Sequence, residues 1–478
     1  MKRFSGPRSA RAERVVVGLI AALLSTAAPA AAQTIAITGG RVVIGDGSEP
    51  IDGGTVIIRN GRVVAAGAGV AVPAGAQVVD AAGRWVTPGL VSGFSRIGLA
   101  EVDAAGASND TSANRSPFSA ALDVSTAINP QAAAIAINRA AGITRAVVAP
   151  VAEGSIFGGQ GAVIDLGSDN DPITRRRAFQ FVELGEAGAD EAGGSRVSAH
   201  ALIRNALREA GQLRLPITGR SGGRGNAQQA AQPGQQQIDD QMDVRMLEPQ
   251  RDRSSDVLLT RFDAAALVPV VQGQQMLLIH VERASDILQA IALRREFPRL
   301  RLVLVGATEG WRVADQIRAA GVPVIANALN DLPATFEQLA ATQSNVGRLR
   351  AAGVPVAIGH INDDETRQIR LMAQYAGNLV ALNNVPGATG LSWSQAFSAI
   401  TTGPAEAMGL GGEIGSLRPG RRADVVIWDG DPLELATGVQ AVWIDGVQQS
   451  LENRQTRLRD RYRTPQEGQL PHAYDPRN

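Results

Sequence analysis

The chain has no cysteine, and its only lysine is Lys2. The first absence excludes thiol nucleophiles, disulfides, cysteine-based zinc sites and iron–sulfur clusters. The second leaves nothing beyond residue 2 that could form a Schiff base, serve a phosphate loop or be carbamylated to bridge two metals. Aromatic residues are scarce, at 4%, and the formal net charge is zero, which removes the electrostatic reason to expect nucleic acid as a partner. What remains is a globular composition, 44% hydrophobic and 19% charged over 478 residues. That length suits two or three domains, or one large α/β barrel with an appendage.

The first 32 residues read as a secretory signal peptide. Lys2, Arg3, Arg8, Arg11 and Arg14 form a basic start, residues 15–24 an apolar stretch shorter than a membrane span, and Ala30-Ala31-Ala32 a cleavage site. Cleavage leaves 41 basic and 45 acidic residues, a charge near −4, on a periplasmic or secreted protein. No later run is long enough to cross a bilayer.

Two textures divide the rest. Short alternating strands fill residues 33–87, with Asn60-Gly61 between two of them as a tight hairpin signal. The same texture returns over 411–450. Between them, in 88–410, apolar strands alternate with helices: strands at 144–149, 276–281, 302–305, 322–326 and 354–358, helices at 132–141, 284–296, 311–320 and 332–342. Such alternation indicates parallel βα units, and the length suits a (β/α)8 barrel. The expected fold is therefore α/β, a TIM-like barrel with a small β-sandwich domain formed from both chain ends. Residues 219–241, rich in Gly and Gln, read as a surface insertion, and 451–478 as a polar, Arg-rich tail that could pack on a neighbour. Ile156-Phe157-Gly158-Gly159-Gln160-Gly161 reads as a Gly-rich turn that brings backbone close to a pocket; it lacks the lysine and spacing of a phosphate loop.

Three stretches resemble the amidohydrolase superfamily, its imidazolonepropionase-like branch in particular. Gly83-Arg84-Trp85-Val86-Thr87-Pro88-Gly89-Leu90-Val91 is similar to that family's passage from β-unit to first barrel strand. Ile400-Thr401-Thr402-Gly403-Pro404-Ala405-Glu406-Ala407-Met408-Gly409-Leu410 and the run from Gly415 to Ile427 are similar to its return. The resemblance implies hydrolysis of non-peptide C–N bonds by one or two divalent metals at the C-terminal mouth of the barrel. The ligands are a His-x-His pair after strand one, a carboxylate after strand four, single histidines after strands five and six, and an Asp after strand eight. Imidazole and carboxylate suit such ions, and the metal lowers the pKa of bound water.

Carried across, the pattern is mostly lost. Ser92-Gly93-Phe94-Ser95-Arg96 puts Phe94 and Arg96 at the two His positions. Phe has no donor for a cation, and a guanidinium stays protonated. The bridging lysine cannot exist, though a Glu could replace it. The fifth-strand histidine survives as His280; the sixth falls on Gly306 and the Asp near Ile361. The candidate site residues are thus His280, His360, Asp363 and Asp364 for chemistry, and Arg96, Glu282 and Glu309 for a ligand. Arg96 either pairs with Glu282, Glu309 or a loop Asp, or anchors a carboxylate through a two-pronged hydrogen bond. Three readings follow: a subunit with no metal that binds a ligand or a partner, either its own copies or an active paralogue; a hydrolase with one zinc or manganese rebuilt on His280 and His360; or a binding protein for small carboxylates.

Overall fold

A computed structural model describes residues 34–102, 105–213, 258–328, 330–361 and 366–463. The signal segment, the 219–241 insertion, Asp363 and Asp364 lie outside the described residues. No helix among the described residues is long and apolar enough to cross a membrane.

Two eight-stranded sheets organise the chain. The first joins both ends: β1 (Thr34–Val42), β2 (Ile51–Arg59), β3 (Arg62–Gly67), β4 (Gln77–Asp80) and β5 (Trp85–Pro88) with β14 (Val425–Trp428), β15 (Val439–Ile444) and β16 (Val447–Gln449). Its centre is β5, which pairs with β1 on one side and with β14 on the other. The turns at Asn60-Gly61 and Asp445-Gly446 hold two consecutive positive φ values each (52° and 71°, 50° and 76°), the tight-hairpin geometry that Asn-Gly and Asp-Gly favour. β1 changes partner along its length, from β4 to β5, through irregularities at Gly40. A Cβ there would lie 2.6 Å from the Val86 side chain, so only glycine passes.

The second sheet is the barrel: β6 (Leu90–Ser95), β7 (Ile143–Val148), β8 (Phe157–Asp165), β9 (Ile173–Glu183), β10 (Met276–Val281), β11 (Arg301–Gly306), β12 (Val324–Ala326) and β13 (Val356–Ile358), in that order. It closes where the His360 amide donates to the Phe94 carbonyl at 3.0 Å. The helices are α1 (Ala133–Arg139), α2 (Glu186–Glu191), α3 (Arg196–Gln212), α4 (Arg261–Val271), α5 (Ala284–Glu296), α6 (Ala314–Ala320), α7 (Asn345–Ala351), α8 (Met372–Ala381), α9 (Trp393–Ser398), α10 (Thr402–Ala407) and α11 (Arg454–Arg463).

The expected TIM-like plan is correct with one exception. β8 runs antiparallel to both neighbours. Its links to β7 and β9 are too short for a crossover helix, so the chain can only reverse. The Gly-rich stretch expected to be a turn is the start of this strand. Its glycines are needed for packing: a Cβ on Gly161 would lie inside the Phe179 ring. The helix expected at 332–342 is also absent; only a single 3-10 turn, Phe336–Gln338, forms there. Leu332, Phe336 and Leu339 are exposed, so no packed apolar face supports a helix at that position.

Alternation along the strands sorts the core into two layers. Phe179, Phe181, Leu278, Val303, Val305, Ile325 and Ala357 fill the barrel, while Leu277, Ile279, Leu302, Leu304 and Ile358 face the helices. Arg145, at the start of β7 and on the inward parity of Val147, is fully buried and ties the floor of the barrel to the first sheet. Its guanidinium meets Asp424 at 2.8 Å, Asp445 at 2.9 Å and Asp165 at 3.4 Å. Those carboxylates hold Arg145 firmly charged despite its burial.

Candidate functional site

Register places the site. His280, Glu183 and Val305 are lateral partners across β9, β10 and β11, one layer above Phe181, Leu278 and Val303. The inward parity that buries Leu278 therefore carries His280 to the C-terminal mouth, on top of the apolar barrel filling. There the imidazole sits between two carboxylates. Its Nδ1 lies 2.7 and 2.9 Å from the two oxygens of Glu183, and its Nε2 lies 3.0 Å from Glu282. Burial pushes such a ring toward neutrality, but the charge and hydrogen bond of Glu183, reinforced by Glu282, hold it well above its ordinary 6.5. The two carboxylates thus favour the protonated ring, which can donate from both nitrogens. Glu282 is depressed in turn: burial raises it, but the bonds from His280 and Thr308 outweigh burial.

Around this trio the carboxylates are spent on fixed partners. The second oxygen of Glu282 accepts from the Thr308 amide at 2.8 Å. Glu183 accepts from the Gly185 amide at 3.0 Å. Glu337, raised by burial, accepts from the Glu186 amide (2.8 Å) and from Arg196 (3.1 Å), whose guanidinium also reaches Asp286.

The structure redistributes the predicted site residues. Phe94 is buried in the barrel filling, 5.6 Å from Phe181 by ring centroids. Arg96 stacks beyond it, its guanidinium carbon 5.8 Å from the Phe94 ring, and its amide donates to Thr366. Neither Glu282 nor Glu309 is available to Arg96 as the sequence suggested. Glu282 serves His280 and Thr308, while the oxygens of Glu309 accept the amides of Ala284 and Ala340 at 3.1 and 3.0 Å. Glu309 thus staples the loops that carry Ala284 and Ala340. His360 is also misplaced by the sequence reading. It follows outward-facing Ile358 at the same parity, and its ring stacks on Tyr375 of α8, centroids 5.1 Å apart, in the layer outside the barrel. It is fully buried, and neither ring nitrogen has a partner among the described residues. Burial alone pulls it down to about 4. His280 and His360 thus lie on opposite sides of the barrel wall and do not form one site.

Glu183 and Glu337 escaped the sequence reading. The signal for Glu183 was present, because β9 alternates through Phe179 and Phe181 into Glu183, and the same parity led to His280 on β10. Glu337 had no such signal, being brought in by a loop.

Of the ligand positions that the family resemblance implies, Glu183 ends the fourth barrel strand beside His280 on the fifth, while Phe94, Arg96 and Gly306 stand at three others. Phe94 offers no donor, and Arg96 is a cation. At position 306, φ is +86° and a Cβ would lie 2.6 Å from a Glu282 oxygen. The space of the sixth-strand ligand thus belongs to the Glu282 carboxylate. Both nitrogens of His280 are engaged by carboxylates, Nδ1 by Glu183 and Nε2 by Glu282. Among the described residues, no three His, Cys, Asp or Glu are grouped to hold an ion.

Comparison with known proteins agrees with the architecture. The model of the amidohydrolase family (Amidohydro_3) matches residues 310–448. Amidohydrolase tasK of Hapsidospora irregularis is 42% identical over 60 residues, which is 13% of this chain; the chain spans only 6% of the length of that curated relative. The crystal structure of an amidohydrolase from Thermotoga maritima MSB8 superposes with a TM-score of 0.70 over 87% of this chain and 99% of the other, at 24% identity. The last barrel strands and the return to the first sheet thus resemble the amidohydrolase family, and the β-unit split around a barrel has the fold of the Thermotoga maritima amidohydrolase.

Proposed function

We propose that this chain is an exported member of the family, related to hydrolases of non-peptide C–N bonds such as cyclic amides and imides, that works as a ligand-binding or partner subunit with little or no metal-dependent hydrolysis of its own. The observation that carries this reading is the Glu282 carboxylate in the space a side chain at 306 would need. A ligand histidine cannot return there while Glu282 stays. The same conclusion is supported by Phe94 in the barrel filling and by the double clasp on His280. An imidazolium between two carboxylates supplies one positive charge without any ion, and it leaves no lone pair with which to activate water. Export rests on the basic, apolar and small-residue order of residues 1–32.

Elemental analysis of the purified chain tests the reading. Zinc and manganese are expected well below stoichiometric, and the melting temperature is expected to be unchanged when either ion is added. Stoichiometric metal after dialysis, or metal-dependent ring opening of cyclic amides or imides, would overturn it.

A further inference from the structure

The helix α11 buries no residue, although it lies beside α1. Five of its ten residues are arginine, against a single acid, Asp460. A helix of that length is marginal in water on propensity alone. Leu458 and Tyr462, 40% and 68% exposed, stand four residues apart on one face, between Arg454 and Arg461. An apolar pair framed by cations, on a helix that buries none of its own residues, is a surface built to meet another.

The complementary surface lies at the rim of the barrel mouth. Phe336, on the segment after β12, is 83% exposed, and Val197, in the first turn of α3, is 80% exposed. Glu337 pins the two segments together by accepting from Arg196 and from the Glu186 amide. Between α2 and α3 an open cleft of about 480 Å³ is lined by Glu186, Asp190 and Val197, among others. Arg196 also lines it, but that charge is committed to Glu186, Asp286 and Glu337. The rim is thus acidic and apolar where α11 is basic and apolar.

We infer that α11 of a second copy of this chain docks on this rim, Leu458 and Tyr462 against Phe336 and Val197, with Arg454 and Arg461 toward Glu186 and Asp190. A nucleic acid or an anionic membrane would attract α11 but would be repelled by the rim. A second copy satisfies both surfaces at once, and a reciprocal exchange closes on a twofold axis.

Sedimentation velocity of the full chain tests this. Association is expected at low salt (about 50 mM) and dissociation at high salt (about 500 mM), because the contact joins exposed charges. Arg461→Glu and Asp190→Arg should each weaken association about tenfold, and the two together in one chain should restore it. Phe336→Ser, at an exposed position that cannot disturb the core, should weaken it as well. A wild-type chain that stays monomeric at low salt, or an assembly indifferent to Arg461→Glu and Phe336→Ser, would overturn the inference.

Discussion

Acid should unfold this protein partly through one side chain, His360. The ring is fully buried against Tyr375, and neither nitrogen has a partner among the described residues, which holds it near 4 against an ordinary 6.5. The depressed value belongs to a base, so the folded state binds fewer protons than the unfolded state between those two values. Stability is unaffected above pH 6.5, falls as pH drops through the window, and is fully reduced below pH 4. The whole difference corresponds to about 3 kcal/mol, of which about 2–3 kcal/mol is reached by pH 4.5. His280 does not blur the reading: its raised value makes its contribution constant below pH 6.5 and lost only as pH rises through its folded-state value. Asp165, raised to about 6 by burial against the pull of Arg145, acts in the opposite sense between pH 6 and 3.8. The comparison must therefore be made between wild type and His360→Phe, which keeps a ring on Tyr375 and removes the titration. Urea unfolding at pH 7 and pH 4.5 should show the variant losing about 2–3 kcal/mol less than the wild type on acidification. Equal losses in the two proteins, or a His360 ring that titrates near 6.5 by NMR, would refute the reasoning.

Two further outcomes follow from the geometry. Arg145→Met should cost about 3–5 kcal/mol in urea unfolding, because it strands Asp424 and Asp165 beside a buried apolar group, while Asp445 keeps Arg422. Gly306→Ala should destabilise the fold by at least about 1 kcal/mol, since φ is +86° and the new methyl meets Glu282; adding Glu282→Ala should recover only the steric part, and full recovery would show that the backbone there is unstrained.

The sequence alone determined the plan of this protein. Alternation of period two marked the β-unit, Asn60-Gly61 marked a hairpin, and apolar strands followed by helices marked the barrel, because these patterns are set by local backbone geometry. It also determined what the mouth lacks, since Phe94, Arg96 and Gly306 cannot bind a cation in any fold. Only the tertiary structure decided what stands there instead. The close packing of β8 on β9 depended on Gly161 yielding to Phe179 across the sheet. The parity of β13 turned His360 outward to Tyr375, away from His280. Glu183 met His280 through lateral register between β9 and β10, whose ends lie 97 residues apart in the chain. Pairings of that kind depend on which strands become neighbours, a choice made by packing the whole barrel and not by any local pattern.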